Sequence, residues 1–161
     1  MKITRIQIML PLLLFYFVSC ADKSEKQDIV NTGFTEYQKE IENAVNAIVH
    51  DAETANLEGL KNIHLASEKF TKFGPRNFER QNVEKTNESE LAFFGTVSNY
   101  KEDVEDLKID VFGEVGIATY YRVVSFEQDN EKKTVNLRQT LVFLRTDDGW
   151  KIVHEHGTRP M

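Results

Sequence analysis

Leu137-Arg138-Gln139-Thr140-Leu141-Val142-Phe143-Leu144-Arg145, the turn Thr146-Asp147-Asp148-Gly149, then Trp150-Lys151-Ile152-Val153-His154-Glu155-His156-Gly157-Thr158 carries the clearest architectural signal in the chain. Two β-rich runs on either side of an Asp/Gly turn read as a hairpin. The second run carries a Trp and the triplet His154-Glu155-His156. Strict alternation puts Trp150, Ile152, His154 and His156 on one face and Lys151, Val153 and Glu155 on the other. The triplet marks a place for chemistry, not its substrate.

Working backward, Gln128 to Lys133 is a polar turn, and Ile117 to Phe126 is a long run apolar on both faces, which predicts a strand covered on both sides. Gly113-Glu114-Val115-Gly116 is a turn, and before it Leu107, Ile109 and Val111 alternate with Lys108 and Asp110. These runs predict four strands in an antiparallel meander. The first half is helical. Tyr37, Ile41, Ala44, Val45, Ile48, Ala52 and Ala55 form one apolar stripe, with Thr35 and Gln38 spaced as a capping box. A second helix is predicted from Leu57 to about Ser67, with Leu57, Leu60, Ile63 and Ala66 inward and His64 beside them as a packing residue. Phe70 to Phe73 reads as a short strand ended by Gly74-Pro75. After a charged connector, Asn87 and Glu90 open a third helix with Leu91, Phe94 and Val97 on one side. Helices segregated from an antiparallel meander make an α+β domain.

The first nineteen residues stand apart. Lys2 and Arg5 precede a thirteen-residue apolar run, Ile6 to Val18, too short for the ~20 residues of a spanning helix and matched to a secretory signal. The run ends in Phe17-Val18-Ser19-Cys20, which resembles a bacterial lipoprotein signal, although the position three before the Cys carries Phe17 instead of the usual Leu. Cys20 is the chain's one cysteine, so no internal disulfide can form, and a lone thiol at this place reads as an acylation site. The expected organisation is a signal peptide over 1–19, a polar tether over 20–33 from lipidated Cys20, and one domain over 34–161. The expected location is the bacterial cell envelope, on a lipid anchor. Without Lys2 and Arg5 the 20 basic residues fall to 18 against 26 acidic, a net of −8. Such a surface repels phosphate backbones and excludes nucleic acid as a partner.

Three helices followed by a curved meander resemble the nuclear transport factor 2-like cone. The residues carrying the resemblance are Gly113 to Arg122, Arg138 to Phe143 and Asp148 to His156, and they are similar to the SnoaL-like branch of that superfamily. The ending of the last strand also resembles the association domain of calcium/calmodulin-dependent protein kinase II. The resemblance implies a pocket lined by Tyr120, Arg122, Gln139 and Glu155, with His154 and His156 as further candidates. It also implies a dimer formed through the sheet. Of the association domain's pocket arginines, only the one at Arg122 is kept; the other two positions are Leu141 and Gly157, with Arg138 and Arg159 as substitutes that stand off the matching places. A ketosteroid isomerase-like base is not offered either, because Phe73-Gly74-Pro75-Arg76 contains no acid.

Glu155 facing Arg122 is either a buried ion pair that shapes the cavity or an acid/base with an anion clamp; the first is favoured. His154-x-His156 has the spacing of two metal ligands on a strand but no third ligand motif beside it, so no metal is assigned. No Gly-rich phosphate loop and no nucleophile elbow is present, and no cofactor is assigned. Two functions stand. One is a membrane-tethered module whose cone holds a small organic molecule, an anion if Arg122 is its anchor. The other is a SnoaL-like enzyme doing acid/base chemistry of isomerase, cyclase or dehydratase type on a small hydrophobic substrate. A dimerisation module without ligand is the third.

Overall fold

The computed structural model describes residues 28–75 and 78–160. The expected signal peptide, Cys20 and the first part of the tether lie outside them. The elements run α1 (Thr35–Glu53), α2 (Leu57–Ile63), β1 (Thr71–Phe73), α3 (Val83–Phe94), β2 (Ser98–Phe112), β3 (Val115–Gln128), β4 (Glu131–Thr146) and β5 (Gly149–Thr158). One five-stranded sheet has the order β1-β5-β4-β3-β2, antiparallel except where β1 pairs parallel to β5. It is a nuclear transport factor 2-like cone of the α+β class, with helices packed on a curved sheet. Among the described residues no helix is long and apolar enough to cross a membrane.

The α1 stripe lands where its spacing predicts as far as Ala52, whereas Ala55 lies past the helix end, exposed and left-handed at φ 51°. Ile41 and Val45 are fully buried against Ala118, Phe143, Trp150 and Ile152. The approach is close at Gly116, where a Cβ would stand 2.1 Å from Ile41 Cδ1, so the helix sits on β3 only because that residue has no side chain. Trp150 is buried in the same cluster, and its indole N–H donates to Glu40 Oε2 at 2.7 Å. That satisfies the one polar atom the ring takes out of water.

Several local expectations fail, each for a physical reason. The capping box does not form: Phe34 is the N-cap, and Gln38 sends its side-chain amide to Ile109 O at 3.1 Å. α2 ends at Ile63 and not near Ser67, because Leu65 N–H is captured by Ile152 O, and Ala66 is exposed. α3 begins a turn earlier than expected, capped by Asn82 Oδ1 on Lys85 N–H, and Leu91 is 60% exposed. β2 starts at Ser98, well before the predicted alternation, because left-handed Asn99 and Asp106 break the period where the register shifts. β3 buries Ala118, Tyr120, Val124 and Phe126 on one face only; Tyr121 on the other is 49% exposed.

Candidate functional site

The last strand positions the site, and it does so through a bulge. Val142 pairs with His154 but Phe143 with Ile152, so Val153 is an extra residue and the alternation slips by one. Trp150 and Ile152 face the helices, and beyond the bulge so do Glu155 and Gly157. His154 and His156 therefore do not share a face with Trp150 and Ile152. They lie outside, either side of Phe73, with His154 Nδ1 2.7 Å from Thr71 Oγ1. They are not among the residues lining the cavity below.

That cavity holds about 160 Å³ between the helices and the sheet. Tyr120, Arg122, Gln139 and Glu155 all line it, together with His64, Lys72, Glu90 and Tyr100. A continuous polar chain runs across it. Glu102 Oε2 accepts from Arg122 Nη2 and from Tyr100 Oη, each at 2.7 Å. Arg122 Nη1 donates to Gln139 Oε1 at 3.1 Å, and Gln139 Nε2 donates to Glu155 Oε1 at 3.2 Å. Glu155 Oε2 lies 3.1 Å from Lys72 Nζ, which reaches Glu90 Oε1 at 2.9 Å. The amide of Gln139 is thus oriented by a cation at one end and an anion at the other. Gly157 stands opposite Gln139, where a Cβ would come within 3.1 Å of Oε1, so a side chain there would crowd the link.

Strand pairing explains the neighbours. Lys72 is the in-register partner of Glu155 across the parallel β1–β5 pair, and Leu141 pairs with Glu155 from the other side. His64, at the end of α2, bridges Ile152 and is buried. Its Nδ1 lies 3.2 Å from Asn87 Oδ1 on α3, and its Nε2 is 3.7 Å from Glu155 and 4.0 Å from Glu90. Asn87, read from the sequence as a helix cap, holds this imidazole instead.

The charges follow from the contacts. Burial alone would raise the Glu155 carboxyl, but the Lys72 ammonium, His64 and Arg122 outweigh it and hold it well below the ordinary range. Burial would lower Lys72, yet Glu155 and Glu90 carry it above its usual value. Arg122 is raised in the same way by Glu102. Burial pushes the Tyr100 and Tyr120 phenols up, so both stay protonated. The cations present are therefore engaged, and Glu155 is a poor proton acceptor at neutral pH.

His64, Glu90 and Glu155 bring ligand atoms within 4.8 Å of one another, close enough to converge on a metal ion. The Lys72 ammonium already sits against both carboxylates, so a divalent ion would have to displace it. Sequence reasoning missed His64, Lys72, Glu90, Tyr100 and Glu102. Two of them give a signal: His64 stands beside the apolar stripe of the second helix, and Lys72 is the one charge inside the short run Phe70 to Phe73.

Residues 41–161 match the SnoaL-like domain family. No curated protein matches the chain at a significant level. Among solved structures it is similar to a nuclear transport factor 2-like superfamily protein from Salmonella enterica serovar Typhimurium, at TM-score 0.73 and 18% identity over 80% of this chain and 94% of that one. A candidate dehydratase of the same superfamily from Streptomyces avermitilis gives 0.71 and 16%, covering 77% and 96%. A candidate aromatic ring hydroxylase from Novosphingobium aromaticivorans gives 0.71 and 16%, covering 81% and 93%. At these identities the likeness is one of fold.

Proposed function

The chain belongs to the SnoaL-like domain family, and on that footing we propose that it is a binding protein whose cone holds a small organic anion, tethered to a membrane of the bacterial envelope through lipidated Cys20. The observation that carries the binding reading is the Lys72–Glu155–Gln139–Arg122 chain. It neutralises Glu155, the strand carboxylate that lines the cavity, and fixes the cavity wall. Tyr120, Arg122, Gln139 and Glu155 shape the inner site. The test is native mass spectrometry of the full chain purified from its own host, followed by mild denaturation. A released organic acid of constant mass supports the reading. A bare chain whose mass and unfolding midpoint stay unchanged across a panel of organic acids sinks it.

The same spectra report the oligomer. The outer sheet face exposes half of Tyr121, with half-buried Val123 beside it on β3 and Val142 further along opposite Ile117, which suits a second copy packed there. A monomer at micromolar concentration would remove that proposal.

A second reading has its own observation. His64 is held at Nδ1 by Asn87 while Nε2 faces the cavity carboxylates, the arrangement a proton carrier needs. An acid/base enzyme would then use His64, not Glu155. Turnover of a substrate abolished in His64→Gln, with binding intact, would favour it over pure binding.

A further inference from the structure

Beyond the inner cavity lies a second one of about 340 Å³. Lys72, Glu90, Phe93, Tyr100 and Arg122 line both, so this row is a partition between an inner and an outer compartment. The outer one has an apolar wall of Val124 and Phe126 from β3 and Val135 and Leu137 from β4, of which Val124, Phe126 and Leu137 are buried. Arg159, just past the end of β5, closes its rim.

The charges in the outer compartment do not balance. Lys72 is committed to Glu90 and Glu155, and Arg122 to Glu102. Glu90, the one carboxylate lining this space, is taken by Lys72. Arg159 is exposed and has no ion pair or hydrogen bond to any described residue. Among the described residues, one guanidinium without a compensating charge therefore stands over an apolar wall in a chain whose net charge is −6. An anion head there gains a charge-assisted, geometrically bidentate contact without breaking an existing pair, which the inner compartment cannot offer. Size points the same way. A cavity near 150 Å³ holds about a benzene, whereas ligand pockets begin near ~300 Å³.

We propose that the outer cavity is a separate subsite for an organic monoanion, its carboxylate or sulfonate on Arg159 and its apolar body against Val124, Phe126 and Leu137. The proposal rests on the binding reading above and moves the anion anchor from Arg122 to Arg159. A cationic ligand is disfavoured by the guanidinium, and a neutral one forgoes the anchor.

The test is calorimetric titration of the full chain, as its host makes it, with octanoate, 1-octanol and octylammonium. Octanoate should bind once per chain and at least tenfold more tightly than 1-octanol, with octylammonium weakest. Arg159→Gln should weaken octanoate about tenfold and leave 1-octanol unchanged, and Arg159→Lys should restore part of the loss. Arg159 is exposed, so its unfolding midpoint should not move, and any membrane anchor is common to both proteins and cancels in the comparison. Octanoate binding that survives Arg159→Gln overturns this subsite and leaves the binding reading intact. Equal affinity for octanoate and octanol overturns it as well. If none of the three probes binds, the outer site fails, while an organic acid released in the mass spectra would still support the binding reading itself.

Discussion

At the scale of single residues the decisive group is Glu155, because its contacts make a statement about pH. Its folded carboxyl is held below the unfolded value of about 4.3. The stability it contributes is therefore fully present above that value and lost as pH falls through the acid range. Lys72 is raised, so its contribution is complete below about 10.4 and disappears as pH climbs through its folded value. Glu155→Gln keeps the shape and removes the charge. It should cost about 3 kcal/mol at pH 7, the low end for breaking a buried pair, because Lys72 retains Glu90. Urea unfolding from pH 7 down to 3 checks it: the gap between wild type and Glu155→Gln should be constant above pH ~5 and narrow progressively below pH ~4. His154, lowered first by burial and then by His156, also destabilises the fold as it protonates, which is why the gap and not the wild-type curve is the readout. A gap flat across the whole range would mean the ion pair stabilises nothing.

At the scale of elements, the contact between α1 and β3 is close at Gly116, and it can be tested atom for atom. Gly116→Ala places a methyl on Ile41 Cδ1, and overpacking of this kind costs ~1–3 kcal/mol. Ile41→Val deletes that Cδ1 and alone costs ~0.5–1.5 kcal/mol. The double variant should be more stable than Gly116→Ala alone, with a coupling of about 1 kcal/mol in chemical denaturation. Additive losses would mean the helix shifts instead. The α1 stripe was legible because its period of 3.6 depends on residue type alone. Other features were not, because they depend on competition for partners. Gln38 could cap its own helix or reach Ile109, and the strand carbonyl won. Asn82 and Asn87 both have cap chemistry, and only tertiary contact decides that Asn87 serves His64. Val153 is an unremarkable strand residue, so nothing marks the bulge that turns Glu155 inward and His154 and His156 outward. Glu155 reached the cavity in the sequence reading through the positional resemblance, while strict alternation misplaced the two histidines beside it.

At the scale of the whole molecule, the two ends of the sheet serve different purposes. The chain enters at the end carrying the β2–β3 and β4–β5 turns. Gly33 to Tyr37 border Gly113 and Glu114 there, and Arg145 N–H donates to Glu114 O. The outer cavity reaches Phe126, Val135 and Arg159 toward the other end, roughly 35 Å away along β3 at 3.3 Å per residue. If the tether runs from lipidated Cys20, it holds the cone by the end away from the outer cavity, and that cavity meets ligands from the aqueous side. Acylation of Cys20 would leave no free thiol, so a single introduced cysteine reports position without further mutation. Donor dyes on Asp147→Cys at the tether end and on Glu131→Cys at the other end, both exposed sites, should differ in energy transfer to acceptor-labelled lipid headgroups. The first should be the more strongly quenched on vesicles carrying the full chain. Cys20→Ser should abolish transfer from both dyes by releasing the protein; transfer that persists would refute the anchor itself. Equal transfer from the two sites, lost on Cys20→Ser, would keep the anchor but show that the tether lets the domain tumble, leaving the outer cavity no preferred direction.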